Sequence, residues 1–271
     1  MFELRKRSAV EYFTPAAWDV FPYVTAAFCT RRGGVSTGPY ASLNMSGREG
    51  EAEVNVNSNW EVVAAAFGLA RRHFFRIHQV HGDGILVIDD EAFRTFTSRP
   101  PAYDAVIAAR PGLALCILTA DCVPLLMFDG KKGVIAAVHA GWRGTALGIA
   151  RRAATLFKER FQSRPADIQV AIGPAIGPCC YEVDDVVHAA MAGHPEQDAA
   201  FAPRRTAGKW RFDLRLANRR QLEETGIPVE NIQETDLCTS CRREIFFSHR
   251  GEAGKTGRLL NFVVWNEGHP G

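Results

Sequence analysis

The chain has 271 residues, 46% hydrophobic and 23% charged, with a formal net charge of +2. That is enough apolar material for a substantial core, and so small a charge without a long basic block gives no reason to expect nucleic-acid binding. The N-terminus MFELRKRSAVEYF lacks a signal peptide's apolar stretch, no window approaches the roughly 18 apolar residues of a membrane span, and seven cysteines is an odd number, so a soluble, cytoplasmic protein with reduced thiols is expected.

In chain order, Tyr23 to Thr30 predicts a short apolar strand, followed by the turn-rich TRRGGVSTGPYASLN. Glu51 to Phe67 carries helical spacing at Val54, Trp60, Val63 and Phe67. Phe74 to Val80 and Gly84 to Ile88 read as strands about a His-Gly turn. Four further short apolar strands are expected at Ala105 to Ala108, Ala114 to Leu118, Pro124 to Phe128 and Val134 to His139. A single helix over Thr145 to Phe161 precedes a strand at Ile168 to Ile172. Val183 to Ala192 and Asp213 to Thr225 read as helices, with a loop over His194 to Lys209 between them. Phe246 to Ser248 and Leu259 to Val264 read as closing strands. Strands come in runs with helices interspersed, which predicts an α+β fold with a mixed sheet covered by helices. No linker divides residues 1–271, so one domain is expected.

Three segments set polar residues among apolar ones: HQVHGDGI (78–85), TADCVPLL (119–126) and AAVHAGWRGT (136–145). Each offers one zinc-type donor at a strand end or turn: His81, Cys122 and His139. Three protein ligands leave a fourth coordination position open, as catalytic zinc requires. The long spacings exclude a zinc finger and suit a site assembled from separate strands. In HAGWRGT, Gly141 and Gly144 permit sharp turning, Arg143 suits phosphate or carboxylate, and Thr145 is a candidate cap for the following helix. An anion site and a tight turn with a solvated Arg143 both fit. Residues 30–44 are Gly-rich but match neither a Walker loop nor a dinucleotide fingerprint.

Several alternatives fail on the residues. A nucleobase deaminase pattern is suggested by His194-Pro195-Glu196 with Cys238-Thr-Ser-Cys241, but Leu237 stands where a proline is required. A redox role for Cys238 and Cys241 lacks a thioredoxin-like context. Cys179 and Cys180 are adjacent; on a strand their sulfurs would diverge and not chelate jointly, so a turn leading into a helix is expected. No Gly-x-Ser-x-Gly supports a serine hydrolase, and eight scattered histidines without His-x-His do not supply a multicopper oxidase.

TRRGGVSTGPYASLN, HQVHGD, DAVI, TADCVPLL, VHAGWRGT, AIGPAIGPCCYEV and CTSCRREIFFSHRGEAGKTGR occur in that order. Together they resemble the YfiH/laccase-domain family of bacterial proteins, also called the peptidoglycan editing factor or polyphenol oxidase family, over about residues 20–265. The resemblance implies a three-layer α/β/α arrangement with a mixed β-sheet, cysteine-hydrolase-like (CNF/YfiH-like). It implies zinc held by His81, Cys122 and His139. His2Cys ligation also resembles a blue-copper site, so copper binding in vitro is expected.

The family's activities, by the same resemblance, are phosphorolysis of adenosine, inosine, guanosine and methylthioadenosine with adenosine deamination, amide hydrolysis editing peptidoglycan precursors that carry a wrong amino acid, or copper-dependent polyphenol oxidation. A zinc-activated water suits deamination or amide cleavage, whereas phosphorolysis needs an anion pocket. The first activity is favoured, with purine nucleoside and phosphate as small-molecule partners. Arg143, helped by Arg32 or Arg258, is then the phosphate candidate, and Ser42 and Asn44 are candidate substrate contacts in the Gly-rich loop. Asp121 is either an acid/base, an orienter of a histidine or a buried structural acid. Tyr181 and Phe247 either stack on the base or pack in the core.

Overall fold

The computed structural model describes residues 1–47, 50–88, 100–195, 197–204 and 206–266. Most of the apolar runs have both faces buried, because each large sheet is covered on both sides. The first sheet holds β1 (Phe2–Arg7), β2 (Val10–Pro15), β3 (Val24–Cys29), β4 (Phe74–Arg76), β7 (Ala114–Thr119) and β15 (Leu259–Trp265), in the order β1-β2-β3-β15-β7-β4. The second holds β5 (Ile85–Ile88), β6 (Ala105–Ala108), β8 (Val123–Asp129), β9 (Val134–Ala140), β10 (Ile168–Ile172) and β14 (Ile232–Glu234), in the order β14-β10-β8-β9-β6-β5. Both are mixed: β4 runs parallel to β7, β5 to β6 and β14 to β10, and the remaining pairs are antiparallel. A small antiparallel sheet joins β11 (Glu182–Asp184), β12 (Phe201–Pro203) and β13 (Lys209–Phe212).

Strand alternation sorts the core into three layers. Leu115 and Ile117 of β7 point with Phe28 and Val263 toward Leu126, Phe128 and Ile135 of the second sheet, so the two sheets stack face to face. Ala114 and Cys116 point the other way, with Phe262, against Val56, Trp60 and Val63 of α1 (Glu53–Phe67). On the far side, Val123, Leu125, Met127, Ala136 and Val138 meet α3 (Ile149–Phe161) and α6 (Leu214–Glu224) through Ala153, Phe157, Ala217 and Leu222. The α+β class with helices outside a mixed β layer is as expected, and that layer is two sheets deep.

Several elements differ from expectation for local reasons. The helix over 145–161 is two, α2 (Trp142–Ala146) and α3, because Gly148 between them takes a left-handed φ of 76°. β4 stops at Arg76, and residues 77–82 leave the sheet to form the turn that carries His81. Residues 183–192 begin as a strand; α4 (Asp185–Ala190) follows, with the Asp184 carboxylate accepting from the Val187 amide. The expected loop over 194–209 contains α5 (Gln197–Ala200) and β12. Glu196, the acid of the deaminase-like pattern, lies outside the described residues. Residues 246–248 form no strand; Phe246 and Phe247 are instead wedged into the core. Among the described residues, no helix is long and apolar enough to cross a membrane.

This topology brings four functional segments to one edge. β7 ends at Thr119 and the chain re-enters as β8 at Val123, whose partner on β9 is Ala140. His139 sits opposite Pro124, and its amide donates to the carbonyl of Asp104, just before β6.

Candidate active site

The site is organised around an acid. Asp104 is fully buried, and its carboxylate accepts from the amides of Val80 (3.2 Å), His81 (3.0 Å) and Gly82 (2.7 Å), and from His139 Nδ1 (2.8 Å). The converging amides hold His81 at a left-handed φ of 61°. Gln79 fastens the same turn to the end of β7, donating to the Leu118 carbonyl and accepting from its amide, each at 2.7 Å. With Nδ1 of His139 engaged by Asp104, its Nε2 is the nitrogen left for the site.

Cys122 is placed by its neighbour. Asp121 has φ of 89°, and its carboxylate accepts from Thr239 Oγ1 (2.6 Å), Ser248 Oγ (2.7 Å) and the Arg250 amide (2.6 Å). Its carbonyl accepts from the Ile176 amide. Asp121 therefore ties three chain segments together behind Cys122, and it also lines the cavity over the site. Gly141 closes the front: a Cβ there would lie 3.1 Å from both Cys122 Sγ and a ring carbon of His81.

The ligand atoms of His81, Cys122 and His139 all lie within 4.8 Å of one another, and the two imidazole rings are edge-on at 4.9 Å. Zinc bonds of about 2.3 Å to sulfur and about 2.0–2.1 Å to nitrogen place tetrahedral ligands roughly 3.3–3.6 Å apart. Donor atoms all within 4.8 Å of one another are compatible with that spacing, and the missing Cβ at Gly141 leaves the room. The donors also suit a cation electrostatically. Burial pushes the Cys122 thiol up, but the His139 and His81 imidazoles outweigh it and bring the thiol down to about 6. Burial pushes His139 down, and the Cys122 thiolate and Asp104 raise it to about 9. The pair is thus a thiolate and an imidazolium when no metal holds them.

A cavity of about 650 Å³ opens over this centre. Its walls carry Arg76, His78, Tyr181, His249, Arg250 and Arg258 beside the three metal-capable residues. Burial pushes the Tyr181 phenol up, so it keeps its proton at neutral pH. Its ring stacks against Phe212, and the Arg250 guanidinium lies 5.3 Å from the ring centroid.

Of the arginines expected at the site, Arg258 lines the cavity and the others do not. Arg32 points outward to Glu11 (3.4 Å) and the Glu244 carbonyl (3.3 Å). Arg143 is exposed and stacks on the Trp142 ring at 4.3 Å. Thr145 does not cap the helix: Gly141 holds that position, and buried Thr145 accepts from Asn218. Ser42 and Asn44 organise the Gly-rich loop. Ser42 Oγ accepts from the Gly33 and Gly34 amides, while buried Asn44 accepts from the Arg258 amide and so joins the loop to the segment entering β15. Phe247 is fully buried under Arg31, whereas Tyr181 reaches the cavity.

Sequence reasoning did not single out Asp104, Arg76, His249 or Arg250. Asp104 was legible as a lone acid opening the apolar run DAVI, and His249 and Arg250 lie inside the motif CTSCRREIFFSHRGEAGKTGR without having been singled out; Arg76 sits in a segment with no distinguishing pattern. A second cluster was read only in part: the turn expected at Cys179 and Cys180 is present, but their meeting with Cys238 and Cys241 was not expected. Cys179 and Cys180 lie on a turn, so their sulfurs do not diverge as on a strand. They share a 4.8 Å neighbourhood with those of Cys238 and Cys241.

Fold and site together define an α+β protein with a His2Cys centre able to hold a metal ion, set in a cavity lined by arginines. The chain belongs to the family described as multi-copper polyphenol oxidoreductase laccase, whose model matches residues 25–266. It is 38% identical over 248 residues, 90% of each chain, to purine nucleoside phosphorylase YlmD of Geobacillus stearothermophilus. It is also 38% identical over 242 residues, 87% of each chain, to a purine nucleoside phosphorylase of Deinococcus radiodurans. The crystal structure of the Geobacillus YlmD matches with a TM-score of 0.89 at 35% identity, covering 98% of this chain and 99% of that one. The hypothetical protein YfiH of Bacillus licheniformis matches at 0.89 and 37%, covering 97% and 99%.

Proposed function

We propose that the chain is a zinc-dependent purine nucleoside phosphorylase acting on adenosine, inosine, guanosine and methylthioadenosine, with adenosine deaminase activity in the same cavity. The observation that carries this reading is one cavity of about 650 Å³, within the usual size of a small-molecule site, that combines the His81–Cys122–His139 centre with Arg76, Arg250 and Arg258. Similarity to proteins named purine nucleoside phosphorylase supports it.

In phosphorolysis a phosphate oxygen bonds to C1′ of the ribose as the C1′–N9 bond breaks, and the electron pair leaves with the purine, which takes up a proton. Arginine forks suit the first half: Arg76, Arg250 and Arg258 bind and aim the phosphate. Tyr181, still protonated, offers a hydroxyl donor on the same wall. Asp104 fixes the ring of His139, and Asp121 fixes the backbone that presents Cys122. A zinc ion held by His81, Cys122 and His139 would supply a Lewis-acid centre beside the substrate. The donor set argues against a multicopper oxidase. Among the described residues the metal-capable groups are one His2Cys trio and one group of four cysteines, not the several histidine-rich sites needed.

One observation favours a second reading, an amidase that edits peptidoglycan precursors. Asp104, His139 and Cys122 form an acid–imidazole–thiolate chain suited to nucleophilic attack on an amide carbonyl. Incubating metal-replete protein with inosine, with and without phosphate, separates the two. Phosphate-dependent release of hypoxanthine supports the phosphorylase. No release, together with hydrolysis of nucleotide-linked muramyl amino acids, reverses the order.

A further inference from the structure

Four of the seven cysteines lie together and are not among the residues lining the cavity. Cys179 and Cys180 end the turn begun at Gly177, where the Cys180 and Tyr181 amides both donate to the Gly177 carbonyl. Cys238 and Cys241 come from a C-x-x-C turn closed by the Arg242 amide on the Cys238 carbonyl. The segments are fastened by the Thr239 amide donating to Ala175 and by the Gly177 amide donating to Cys238 Sγ at 3.2 Å. Cys241 Sγ lies 3.3 Å from Cys180 Sγ and 3.5 Å from Cys179 Sγ.

These distances discriminate between chemistries. A disulfide requires about 2.05 Å between sulfurs. Four thiolates on a tetrahedral zinc, each at about 2.3 Å, stand roughly 3.8 Å apart; the two Cys241 Sγ contacts, 3.3 and 3.5 Å, lie far from disulfide length and near that value, and all four sulfurs lie within 4.8 Å of one another. The C-x-x-C spacing and the amide donor to a sulfur are what such a centre uses, because amide hydrogen bonds stabilise thiolate charge. Gly177 leaves the room: a Cβ there would lie 3.2 Å from Cys179 Sγ and 3.3 Å from Cys238 Cβ. The Arg215 guanidinium, anchored on the carbonyls of Thr235, Asp236 and Leu237, provides positive charge beside the cluster.

We propose that Cys179, Cys180, Cys238 and Cys241 form a second metal site, a structural four-thiolate zinc centre distinct from the His81–Cys122–His139 centre. With four protein ligands it has no open position for substrate. Its role is to brace the active site from behind. The first segment continues into Tyr181 of the cavity wall, and the second carries Thr239, which donates to Asp121 beside Cys122.

Metal analysis of the full chain, purified from zinc-containing medium without chelator, tests this. Two zinc ions per chain are expected, falling to one in the Cys238→Ser/Cys241→Ser double variant and to one in His81→Ala/Cys122→Ser. Should the cysteine variant not fold, alkylation of the wild-type chain decides. The four cysteines should be protected while zinc is bound and become modifiable after chelation, as mapped by peptide mass spectrometry. One zinc per chain with these thiols modified at the same rate with and without chelator overturns the proposal. A disulfide among them in freshly purified protein also overturns it.

Discussion

Asp104→Asn is the most informative single change at the candidate metal centre. The substitution is nearly isosteric but removes a charge and turns one acceptor oxygen into a donor. The two oxygens of Asp104 serve four donors in pairs: His81 N with His139 Nδ1, and Val80 N with Gly82 N. Whichever way the amide is oriented, one pair faces an NH2 group. At about 1–3 kcal/mol for each buried donor left without an acceptor, the metal-free fold should lose about 2–6 kcal/mol. Loss of a carboxylate behind a metal-ligating histidine typically weakens metal binding about 10- to 100-fold. Competition against a chromophoric chelator measures the second quantity, and denaturant unfolding of the metal-free chain measures the first. The acid limb gives an independent check. Burial alone would raise the Asp104 carboxyl, but hydrogen bonds from His139 and the Gly82 and His81 amides outweigh it and hold the group below its usual range. Its contribution is therefore present above the ordinary carboxylate pKa, about 3.9, and lost as pH falls through the lower folded value. The stability gap between wild type and variant should narrow as the pH is lowered below about 4. Unchanged zinc affinity in a variant of unchanged stability would refute the role assigned to Asp104.

Four other outcomes follow from the geometry. Gly141→Ala should weaken zinc binding with little change in the metal-free fold, since its methyl would crowd Cys122 Sγ and His81; isothermal titration checks both affinity and stoichiometry. Asp121→Asn should lower stability by about 1–3 kcal/mol through lost hydrogen bonds from Thr239, Ser248 and Arg250, while leaving the shape of the pH–rate profile unchanged; a lost limb in that profile would assign Asp121 proton transfer instead. Arg250→Ala should raise the phosphate KM about 10- to 100-fold, the equivalent of one charge-assisted contact, whereas Arg32→Ala and Arg143→Ala should leave it within a factor of about two. Zinc uptake at pH 7.5 should release about one proton, from His139 at about 9, because the Cys122 thiol at about 6 is already ionised. Titration in buffers of differing ionisation enthalpy reads this number, and zero release would contradict the thiolate–imidazolium pairing.

Much of the fold was legible because its strands are short, apolar and bounded by turns; Ala105–Ala108 and Ile168–Ile172 emerge with the expected bounds. What the pattern does not carry is the depth of the β layer. A strand buried between two sheets and one buried between a sheet and a helix have the same apolar sequence. The weakly apolar hairpin Phe2–Arg7 and Val10–Pro15 gave no periodic signal strong enough to single out. At the site, His81, Cys122 and His139 were marked by polar types in apolar runs, and the structure brings them together. Of the expected arginines, Arg258 lines the cavity, whereas Arg32 and Arg143 do not, because a guanidinium on a flexible stem reaches several ångströms from its Cα. Arg143 lies next to the His139 segment in sequence but turns out over Trp142, while Arg76 reaches the cavity from the end of β4, just before the His81 turn, and Arg250 from a distant segment. The turn at Cys179 and Cys180 emerges as expected, but its meeting with Cys238 and Cys241 depends on tertiary contacts, such as the Thr239 amide on the Ala175 carbonyl, that no local pattern carries.

The central claim is that the arginine-lined cavity over the His81–Cys122–His139 centre transfers ribose to phosphate. Phosphorus NMR of the zinc-loaded chain with inosine and inorganic phosphate tests it most directly. The inorganic phosphate signal should decline as a sugar 1-phosphate signal grows in step with hypoxanthine, and Cys122→Ser should abolish both changes. Hypoxanthine released with the phosphate signal unchanged, or no consumption of inosine by fully zinc-loaded protein, would contradict it.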